Sequence, residues 1–486
     1  MIELKYFLIF LAAAVAVLVI LLLIAVIRAV RMKVKPSDRK PAIHYTPEEE
    51  AKYASMLSEM IKVPTVSVPE GGDKSIFYEL QDVMKELFPL VFSKLEKTDL
   101  NGNMLFRWPG RNPELKPILL MGHQDVVPAS NKNWKHGPFS GDIEDGIVHG
   151  RGAMDCKCTV MAEFAAVEEL LEEGFVPERD VYLSSSTNEE ISGGGVEVAV
   201  KYFQDKGIRL ESVMDEGGAI VSEMLPGMST WAAAVGIVEK GTSHIKFIAK
   251  GAGGHSSAPP NDTPIARLSA FVCEVEKKKP FKKEFTEPVR KMFDSIAPYL
   301  SFPFRLLMGN VWLFKPLLIA LMPMVSPMAL AFLATTCVFT MSGGSDAPNV
   351  IPDEAYVIAN IRPSIQQNAE ESIEILKKIA AKYDLEAEVI YASSASGVVN
   401  TDGEEFRYIG ECVKECFPEY CFTPYYMCGG TDCRNFEPVT DNCMRFTPIR
   451  MNKQQIAAMH APNENIGTDA LAEGVKFYKY YIKNHK

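Results

Sequence analysis

The chain has 486 residues, 47% of them hydrophobic, and its formal net charge is −11. That length and apolar content suffice for two or three domains with well-buried cores. The acidic balance argues against nucleic acid or an anionic lipid surface as a partner of the protein body, since both require a basic surface.

The first predicted element is an apolar N-terminal helix. From Tyr6 to Ile27 there are 22 residues without a charge, and at about 1.5 Å per residue they span the roughly 30 Å of hydrocarbon in a bilayer. The alternative is a cleaved signal peptide, but its apolar core should be only about 7–15 residues long and should end at a small-residue cleavage site. Here the apolar run ends in the basic sequence RAVRMKVK, so we expect a single-pass membrane anchor.

The charges on the two sides of this helix are unequal. Lys5, offset by Glu3, precedes the helix, whereas a group of cations follows it: Arg28, Arg31, Lys33, Lys35, Arg39 and Lys40. The positive-inside bias therefore predicts a body on the cytoplasmic side. The ten cysteines show no regular framework and fit a reducing compartment, although those from Cys412 to Cys443 could pair if the body lay outside.

Beyond the anchor and its basic linker, residues 1–40, apolar strands alternate with helices. PILLMGHQDVVP and DVYLSSSTNEE are typical of buried strands, whereas TPEEEAKYASMLSEMIKV, TVMAEFAAVEELLEEGF and GGVEVAVKYFQDKG have helical period. This alternation predicts an α/β domain with a mostly parallel sheet flanked by helices. Ligands of such sheets bind at the carboxyl ends of the strands, so functional residues should follow strands.

Residues with the chemistry of metal ligands do follow these strands. His123 and Asp125 are two apart at a strand end, so the carboxylate can contact the imidazole and fix its tautomer for metal binding. Taken alone, this pair is explained equally by a histidine beside a polar core residue. Further candidates come later in the chain: Asp155, Glu189, Glu190, Asp215 and His460. Such a set suits two metal ions about 3.5–4 Å apart that share one carboxylate.

Seven motifs together resemble one known family. In chain order they are GHQDVVP, GRGAMDCK, TNEEISGGG, DEGG, GGHSSAPP, NVIP and HAPNE. They resemble the dinuclear zinc peptidases that include carboxypeptidase S, aminoacylase and carnosinase, and most of all the branch of carboxypeptidase S and the N-fatty-acyl-amino-acid hydrolases. The resemblance covers nearly the whole chain beyond residue 45. It implies two divalent metal ions, taken to be zinc, one on His123, Asp155 and Asp215 and the other on Asp155, Glu190 and His460, with Asp155 bridging.

The adjacent acids of TNEEISGGG then have separate roles. Neighbouring residues on a turning backbone point in different directions, so Glu190 can bind a metal while Glu189 faces a water molecule as general base. Two departures from the family pattern stand out. Cys156, followed by Cys158, occupies the position of a second acid, and Asn188 replaces the acid before the glutamate pair. A thiol this close to a zinc pair could compete for metal.

A second domain is indicated by VEKGTSHIKFIAKGAGGHSSAPP, where an alternating strand leads to a glycine-rich loop. The predicted organisation is a catalytic domain in two parts, 41–237 and 393–486, with an α+β lid at 238–392. The resemblance implies that this lid also forms a homodimer and that His255 stabilises the oxyanion, often across the dimer interface. Asn349 and Arg362 would hold a substrate carboxylate. Arg434 is a further candidate, with an ordinary structural role as the alternative.

An unusually apolar insertion lies in this lid, near 294–341, and Pro316 to Ser345 carries no charge. A second membrane span is one interpretation, but Pro316, Pro323 and Pro327 argue against a continuous helix. A buried helical hairpin is another, and a wall facing the bilayer or the substrate's acyl group is the third. If the wall faces the acyl group, a polar residue at Trp312 or Leu318 should weaken turnover of long-chain substrates selectively.

The sequence therefore predicts a membrane-anchored, metal-dependent hydrolase that cleaves, or in reverse forms, an amide bond to a carboxylate-bearing amino acid or short peptide. The alternatives are a dipeptidase or exopeptidase without acyl-chain preference, and a catalytically silent, membrane-tethered binding module. The presence of Glu189 beside a complete ligand set argues against the silent module.

Overall fold

The fold is described from a computed structural model that covers residues 2–34 and 37–486. Lys35 and Pro36 of the predicted basic linker lie outside the described residues. Helix α1 (Ile2–Arg31) contains the apolar N-terminal run. Its segment Leu4–Arg31 is long and apolar enough to cross a membrane, with a mean hydropathy of 3.4.

The larger domain begins at Thr46, which caps α2. Its hydroxyl accepts the N–H of Glu49, and the Glu49 carboxylate accepts the N–H of Thr46. The first part of this domain contains these elements: α2 (Pro47–Lys62), α3 (Ser75–Leu87), α4 (Pro89–Lys94), β1 (Glu96–Leu100), β2 (Asn103–Trp108), β3 (Ile118–His123), β4 (Ile143–Glu144), β5 (Ile147–His149), α5 (Lys157–Glu172), β6 (Val181–Ser186), α6 (Gly195–Asp205), β7 (Ser212–Val221) and β8 (Ala232–Glu239).

The middle of the chain forms a second group of elements: β9 (Ser243–Lys250), β10 (Gly254–His255), α7 (Pro264–Lys278), α8 (Glu287–Ile296), α9 (Phe302–Met308), α10 (Val311–Val325), α11 (Pro327–Leu333), β11 (Thr336–Gly343), β12 (Val350–Ile351), β13 (Glu354–Arg362), α12 (Ala369–Ala380) and β14 (Glu386–Ala392). The chain then returns to the larger domain with α13 (Glu404–Cys416), β15 (Cys421–Met427), β16 (Cys443–Met451), α14 (Lys453–Ala458), β17 (Asn465–Gly467) and α15 (Thr468–Asn484).

The main sheet has the strand order β1-β2-β6-β3-β7-β16-β8-β15. Its centre, β6-β3-β7-β16, is parallel as expected. Its flanks are not, because β1 and β2 form a hairpin that joins β6 antiparallel, and β8 runs antiparallel to β16. The sheet is therefore mixed, with the predicted parallel character confined to the centre and the β8–β15 pair. Helices such as α5 and α15 cover it.

A smaller domain is built on a four-stranded antiparallel sheet in the order β11-β13-β9-β14. Strand β9 alternates buried and half-buried residues along its length, as expected for a sheet with one face packed. Helices α7 and α12 cover that face, with Phe247, Phe271 and Leu376 at the centre of its separate core.

The apolar insertion lies elsewhere than the sequence suggested. Helix α8 packs on β15, and the inner residues of α8–α11 join the core of the larger domain rather than that of the smaller one. Apolar content predicts burial but does not say against which sheet, which is why the placement in the lid needs correction. Pro316 and Pro323 also lie inside α10 without ending it, whereas Pro327 opens α11, where its missing N–H is harmless.

The two domains are joined by two adjacent chain crossings. The first runs from Lys240 to Thr242, and the second begins at Ser393, whose N–H donates to the Thr242 carbonyl. A Cβ on Gly241 would lie 2.1 Å from the Ser393 carbonyl oxygen, so only glycine allows this approach. We call these paired crossings the hinge.

Candidate metal centre and active site

The predicted metal-ligating residues meet at the carboxyl edge of the parallel strands. His123 is the last residue of β3, and Glu189 and Glu190 follow β6 in a short 3-10 turn. Asp155 lies in the turn before α5, Asp215 lies within β7, and His460 comes from the loop after α14. Parallel strands end at the same edge of a sheet, which brings residues far apart in sequence to one place.

Asp155 lies at the centre of this group. One of its carboxylate oxygens, Oδ1, is 2.9 Å from Nε2 of His123, and the other, Oδ2, is 2.9 Å from Nε2 of His460. Nε2 of His460 is also 3.1 Å from Oε2 of Glu190. The ligand atoms of Asp155, Glu190 and His460 all lie within 4.8 Å of one another. Asp155 therefore faces one histidine with each oxygen, as a bridging carboxylate requires.

Asp125 hydrogen-bonds to His123 and to the backbone of the glutamate pair, and so positions residues on both sides of Asp155. Its backbone carbonyl accepts from Nδ1 of His123 at 2.8 Å, which leaves Nε2 directed at Asp155. The Asp125 carboxylate lies 3.5 Å from the same Nδ1 atom, and its oxygens accept the backbone N–H groups of Glu189 and Glu190 at 3.1 and 3.2 Å. Asp125 thus orients the histidine chiefly through its carbonyl and the glutamate pair through its carboxylate.

A buried ion pair fixes the turn that carries Asp155, and sequence reasoning missed it. Oε1 of Glu464 accepts the N–H groups of Gly152, Met154 and Asp155 at 2.8–3.1 Å. Oε2 of Glu464 pairs with Arg151, and both side chains are almost fully buried. Glu464 thereby ties the Asp155 turn to the loop of His460. The sequence did contain both members of this pair, Glu464 in HAPNE and Arg151 in HGRGAMD, each inside a motif that carries a predicted metal ligand.

Several further acids are buried around Asp215. The oxygens of Asp215 accept the N–H groups of Glu216 and Cys433, both at 2.8 Å, so its carboxylate is engaged by backbone rather than by His123. Burial raises the pKa of Asp215 and of Asp432 to about 7 in each case. Burial likewise raises the pKa of Glu189 and Glu216 well above the usual range. Asp432 and Glu216 were not expected from the sequence.

The pKa values of the two histidines are also raised, which favours their charged form, whereas the raised pKa values of the acids favour their neutral form. Hydrogen bonds to Asp155 and then to Glu190 raise the pKa of His460 to about 10. Burial opposes a charge on His123, yet Cys156, Asp125 and Asp155 outweigh it and raise its pKa. Crowded carboxylates therefore favour positive charge at the centre of the group.

The same donor set fits divalent metal ions. Imidazole nitrogens and carboxylate oxygens are the ligands that zinc prefers, and Oε1 of Glu190 is buried without a hydrogen-bond partner among the described residues. Asp155 supplies one oxygen to each side, next to His123 on one and to Glu190 and His460 on the other. Bound cations can therefore balance the negative charge of these carboxylates, a role that protonated histidines fill without metal.

Both thiols near Asp155 hydrogen-bond to the backbone, and Sγ of Cys156 also lies within 4.8 Å of ligand atoms of His123 and Asp155. The N–H of His123 donates to Sγ of Cys156 at 3.1 Å, and burial raises the pKa of this thiol. Cys158 donates to the carbonyl of Met154 at 3.2 Å. Asn188 also has a local contact, since its side-chain oxygen accepts the N–H of Gly195 at 3.0 Å. Asn188 thus shapes the glycine-rich loop after the glutamate pair.

The residues assigned to substrate binding lie farther out. His255 ends the exposed strand β10 and Asn349 directly precedes β12, and the N–H of Ser256 donates to the Asn349 carbonyl. The hydrogen bonds of these two residues within the described part of the chain are local to this loop region. Arg362 is half-buried at the end of β13 and donates to Thr242 and Asn360. A third arginine, Arg434, donates to three atoms of the hinge: the Lys240 carbonyl, the Ser393 hydroxyl and the Ser394 carbonyl.

The fold and this donor set define a metal-dependent hydrolase. The chain belongs to Peptidase family M20/M25/M40, whose model matches residues 119–484. It is 32% identical over 448 residues to the Homo sapiens N-fatty-acyl-amino acid synthase/hydrolase PM20D1, covering 90% of this chain and 89% of that protein. It is 29% identical to carboxypeptidase S of Saccharomyces cerevisiae, covering 88% of this chain and 83% of that protein. The M20 family metallo-carboxypeptidase Sso-CP2 from Sulfolobus solfataricus has a similar fold, with a TM-score of 0.67, 20% identity and coverage of 89% and 98%.

Proposed function

We propose that the protein is a membrane-anchored, dinuclear zinc hydrolase of amide bonds whose amine side carries a free carboxylate. The observation that carries this proposal is the pair of ligand groups that share Asp155, with Glu189 beside them. The proposed substrates are N-acyl amino acids or short peptides, and the reaction can run toward hydrolysis or synthesis. The names of the two relatives, an N-fatty-acyl-amino acid synthase/hydrolase and a carboxypeptidase, support this substrate class.

The ligands are assigned by position. His123, Asp155 and Asp215 hold one ion, and Asp155, Glu190 and His460 hold the other. Bound zinc supplies Lewis-acid activation of the amide carbonyl and of water. Asp215 must release at least one backbone N–H partner or use its remaining lone pairs for this role, since both of its oxygens already accept hydrogen bonds.

Glu189 is the proposed proton carrier. Its Oε2 lies 4.0 Å from Nε2 of His123, which places it beside the shared carboxylate but outside direct hydrogen-bond range of the imidazole. Burial raises the pKa of Glu189, which makes its carboxylate, when ionised beside bound cations, a stronger base toward the attacking water. The same oxygen then returns the proton to the leaving amine. The Asp125 carboxylate keeps Glu189 in place by accepting the backbone N–H of Glu189.

The smaller domain acts in this proposal as a lid and dimerisation domain. His255 and Asn349 are exposed and adjacent, so they can reach a reacting carbonyl by closure of their own domain or from a partner chain in a homodimer. Arg362 is proposed to hold the substrate carboxylate. Burial lowers the pKa of Lys240, at the hinge, to about 8, and the charge of Arg362 lowers it further while Cys428 opposes the shift.

Helix α1 is the proposed anchor, with the body on the cytoplasmic side. Its uncharged length and the cations after it support this placement.

The test uses the full chain in nanodiscs with zinc, beside its Glu189→Gln variant. Both are assayed on N-acetyl, N-lauroyl and N-oleoyl amino acids and on dipeptides. Turnover of the acyl substrates, lost with Glu189→Gln and with chelator while the variant still binds zinc, is the expected result. Turnover confined to peptides would favour the exopeptidase instead. Zinc binding without turnover of any substrate would overturn the proposal in favour of the silent binding module.

A further inference from the structure

The outer side of α9–α11 is an exposed apolar surface. Its solvent-facing side chains are large, and we call them the outer face: Phe302, Phe304, Trp312, Leu317, Leu321, Met324 and Met328. Met324 is 81% exposed. The opposite side of the same helices is also apolar, since Leu318, Met322 and Leu333 are buried in the core of the larger domain. A helix that is apolar all round is buried in protein or in a membrane, and here only one side is covered by protein.

This surface is continuous with α1. The side-chain amide of Asn310, at the corner between α9 and α10, donates to the carbonyl of Ala25 at 3.1 Å. Ala25 and Ala29, one turn apart on α1, are completely covered, although most of the helix is exposed. A Cβ on Gly309 would lie 2.6 Å from Sδ of Met32, so the corner meets the end of α1 closely.

The contact fixes the level of the outer face along α1. Ile27 is the last residue of the uncharged run, and the cation Arg28 follows it. Ala25 is two residues earlier, or about 3 Å deeper at 1.5 Å per residue. The corner of α9 and α10 therefore lies where the hydrocarbon of a bilayer crossed by α1 meets the headgroups.

The length and charge of the segment also match that level. Helix α10 has 15 residues, or about 22 Å, which is too short to cross roughly 30 Å of hydrocarbon. Its axis turns 102° from that of α9. Between Ser295 and Ser345 the only charged residues are the cations Arg305 and Lys315. The acidity of the chain as a whole does not extend to this segment, which suits an apolar surface bordered by headgroups.

We propose that the outer face of α9–α11 is a second, shallow membrane contact, lying in the same leaflet from which the body emerges after α1. It rests on the proposed anchoring by α1 and adds a fixed orientation of the body. The occupant of this surface is the lipid itself. Trp312 then lies at the headgroup boundary, where its indole N–H keeps the hydrogen bond to Asn310, and Lys315 extends its amine outward to lipid phosphates.

A role as the wall of an acyl pocket fits the geometry less well. The outer-face side chains spread over the outside of the body, while Leu318, proposed from sequence as a substrate contact, is buried in the core. A polar residue at Leu318 would therefore report on folding, and Trp312 is the informative position.

The experiment measures tryptophan fluorescence of the full chain in nanodiscs containing one chain each. Lipids brominated at shallow or deep acyl positions serve as quenchers, and Trp312→Phe supplies the difference signal. We expect the Trp312 emission to be lost with shallow bromines, less affected by deep ones, and protected from aqueous iodide. Quenching by iodide but not by brominated lipid would overturn the proposal.

Two variants and one extraction separate the outcomes. Leu321→Glu should reduce the quenching of Trp312 by brominated lipid, whereas Val338→Glu, at an exposed apolar position on β11, should leave it unchanged. Protection of Trp312 from both brominated lipid and iodide that appears only with two chains per disc would assign the surface to a second copy and refute lipid as the occupant. Extraction at alkaline pH tests whether α1 alone keeps the chain in the membrane, so a loss of anchoring is distinguished from a failure of the outer face to contact lipid. Amide turnover is measured separately, so the proposed enzymatic function is tested independently of both.

Discussion

Replacing Glu464 by glutamine should weaken metal binding without touching a proposed ligand. The glutamine oxygen can still accept the three backbone N–H groups of the Asp155 turn, but the charge that faces Arg151 is lost. The Arg151 side chain is 3% exposed and that of Glu464 is fully buried. Removing one partner of such a buried pair costs about 3–5 kcal/mol, a large part of the roughly 5–15 kcal/mol that stabilises a typical domain. The chain should fold, with a displaced Asp155.

The expected consequence is a loss of zinc affinity of about 10–100-fold, as for other groups that orient metal ligands. Affinity is measured by competition with a chromophoric chelator, and stability by urea unfolding of the metal-free chain. Glu405→Gln is the matched control, because Glu405 is also a buried acid, bonded to His485 and Ser212 away from the centre. It should lower stability and leave zinc affinity unchanged.

A double variant, Arg151→Gln with Glu464→Gln, leaves no unpaired buried charge and should recover part of the lost stability. Two results would refute the reasoning. One is normal zinc affinity in Glu464→Gln despite reduced stability, since Glu464 would then not position Asp155. The other is equal loss of affinity in Glu405→Gln, which would make the effect a general one of destabilisation.

Three further predictions concern pH, substrate and assembly. Because the pKa of Asp215 and of Asp432 is raised to about 7, the folded metal-free chain keeps protons that the unfolded chain releases near pH 4, so these acids favour folding most at low pH. The free energy of unfolding that these two acids contribute, measured by chemical unfolding, should therefore fall between about pH 4 and 7. The variant Asp432→Asn should show a smaller fall over the same range. A fall of the same size in that variant would contradict this assignment. Arg362→Ala should raise KM for N-acyl amino acids about 10-fold or more but not for analogues whose carboxylate is an amide, and equal effects on both would exclude carboxylate recognition. Mixing inactive Glu189→Gln and His255→Ala chains should restore activity if His255 serves a partner's site, and no recovery in a confirmed mixed dimer would place His255 in its own chain's site.

His123 and the glutamate pair could be placed near one another from the sequence, because they follow β3 and β6, neighbouring parallel strands whose ends lie at one edge of the sheet. Asp155 and His460 contact them from loops before α5 and after α14, which strand patterns do not place, and the resemblance of the motifs was the signal for these two residues. The Arg151–Glu464 pair could not be read in the same way. Its members are 313 residues apart, neither has a metal-ligating signature of its own, and a charged residue in a loop is usually solvated.

Three other features of the fold could not be predicted, because hydrophobic patterns do not encode which elements pack or pair with one another. The apolar sequence of α8–α11 predicts that these helices are buried, but it does not say which of the two sheets they pack against. The packing of α8 on β15 shows that it is the sheet of the larger domain. Strand periodicity is the same in parallel and antiparallel pairs, so the reversal at β8 and β16 is visible only in the pairing. The hinge contacts of Arg434 depend on where two distant crossings meet.

The meeting of α1 with the corner at Asn310 has a consequence for symmetry. If α1 anchors the chain as proposed, two identical chains in one bilayer can be related only by a two-fold axis along the membrane normal, since an axis in the membrane plane would invert one of them. The surfaces that meet in such a pair must therefore face sideways, parallel to the bilayer. Encounter between chains then depends on their number per area of membrane rather than on their concentration in solution.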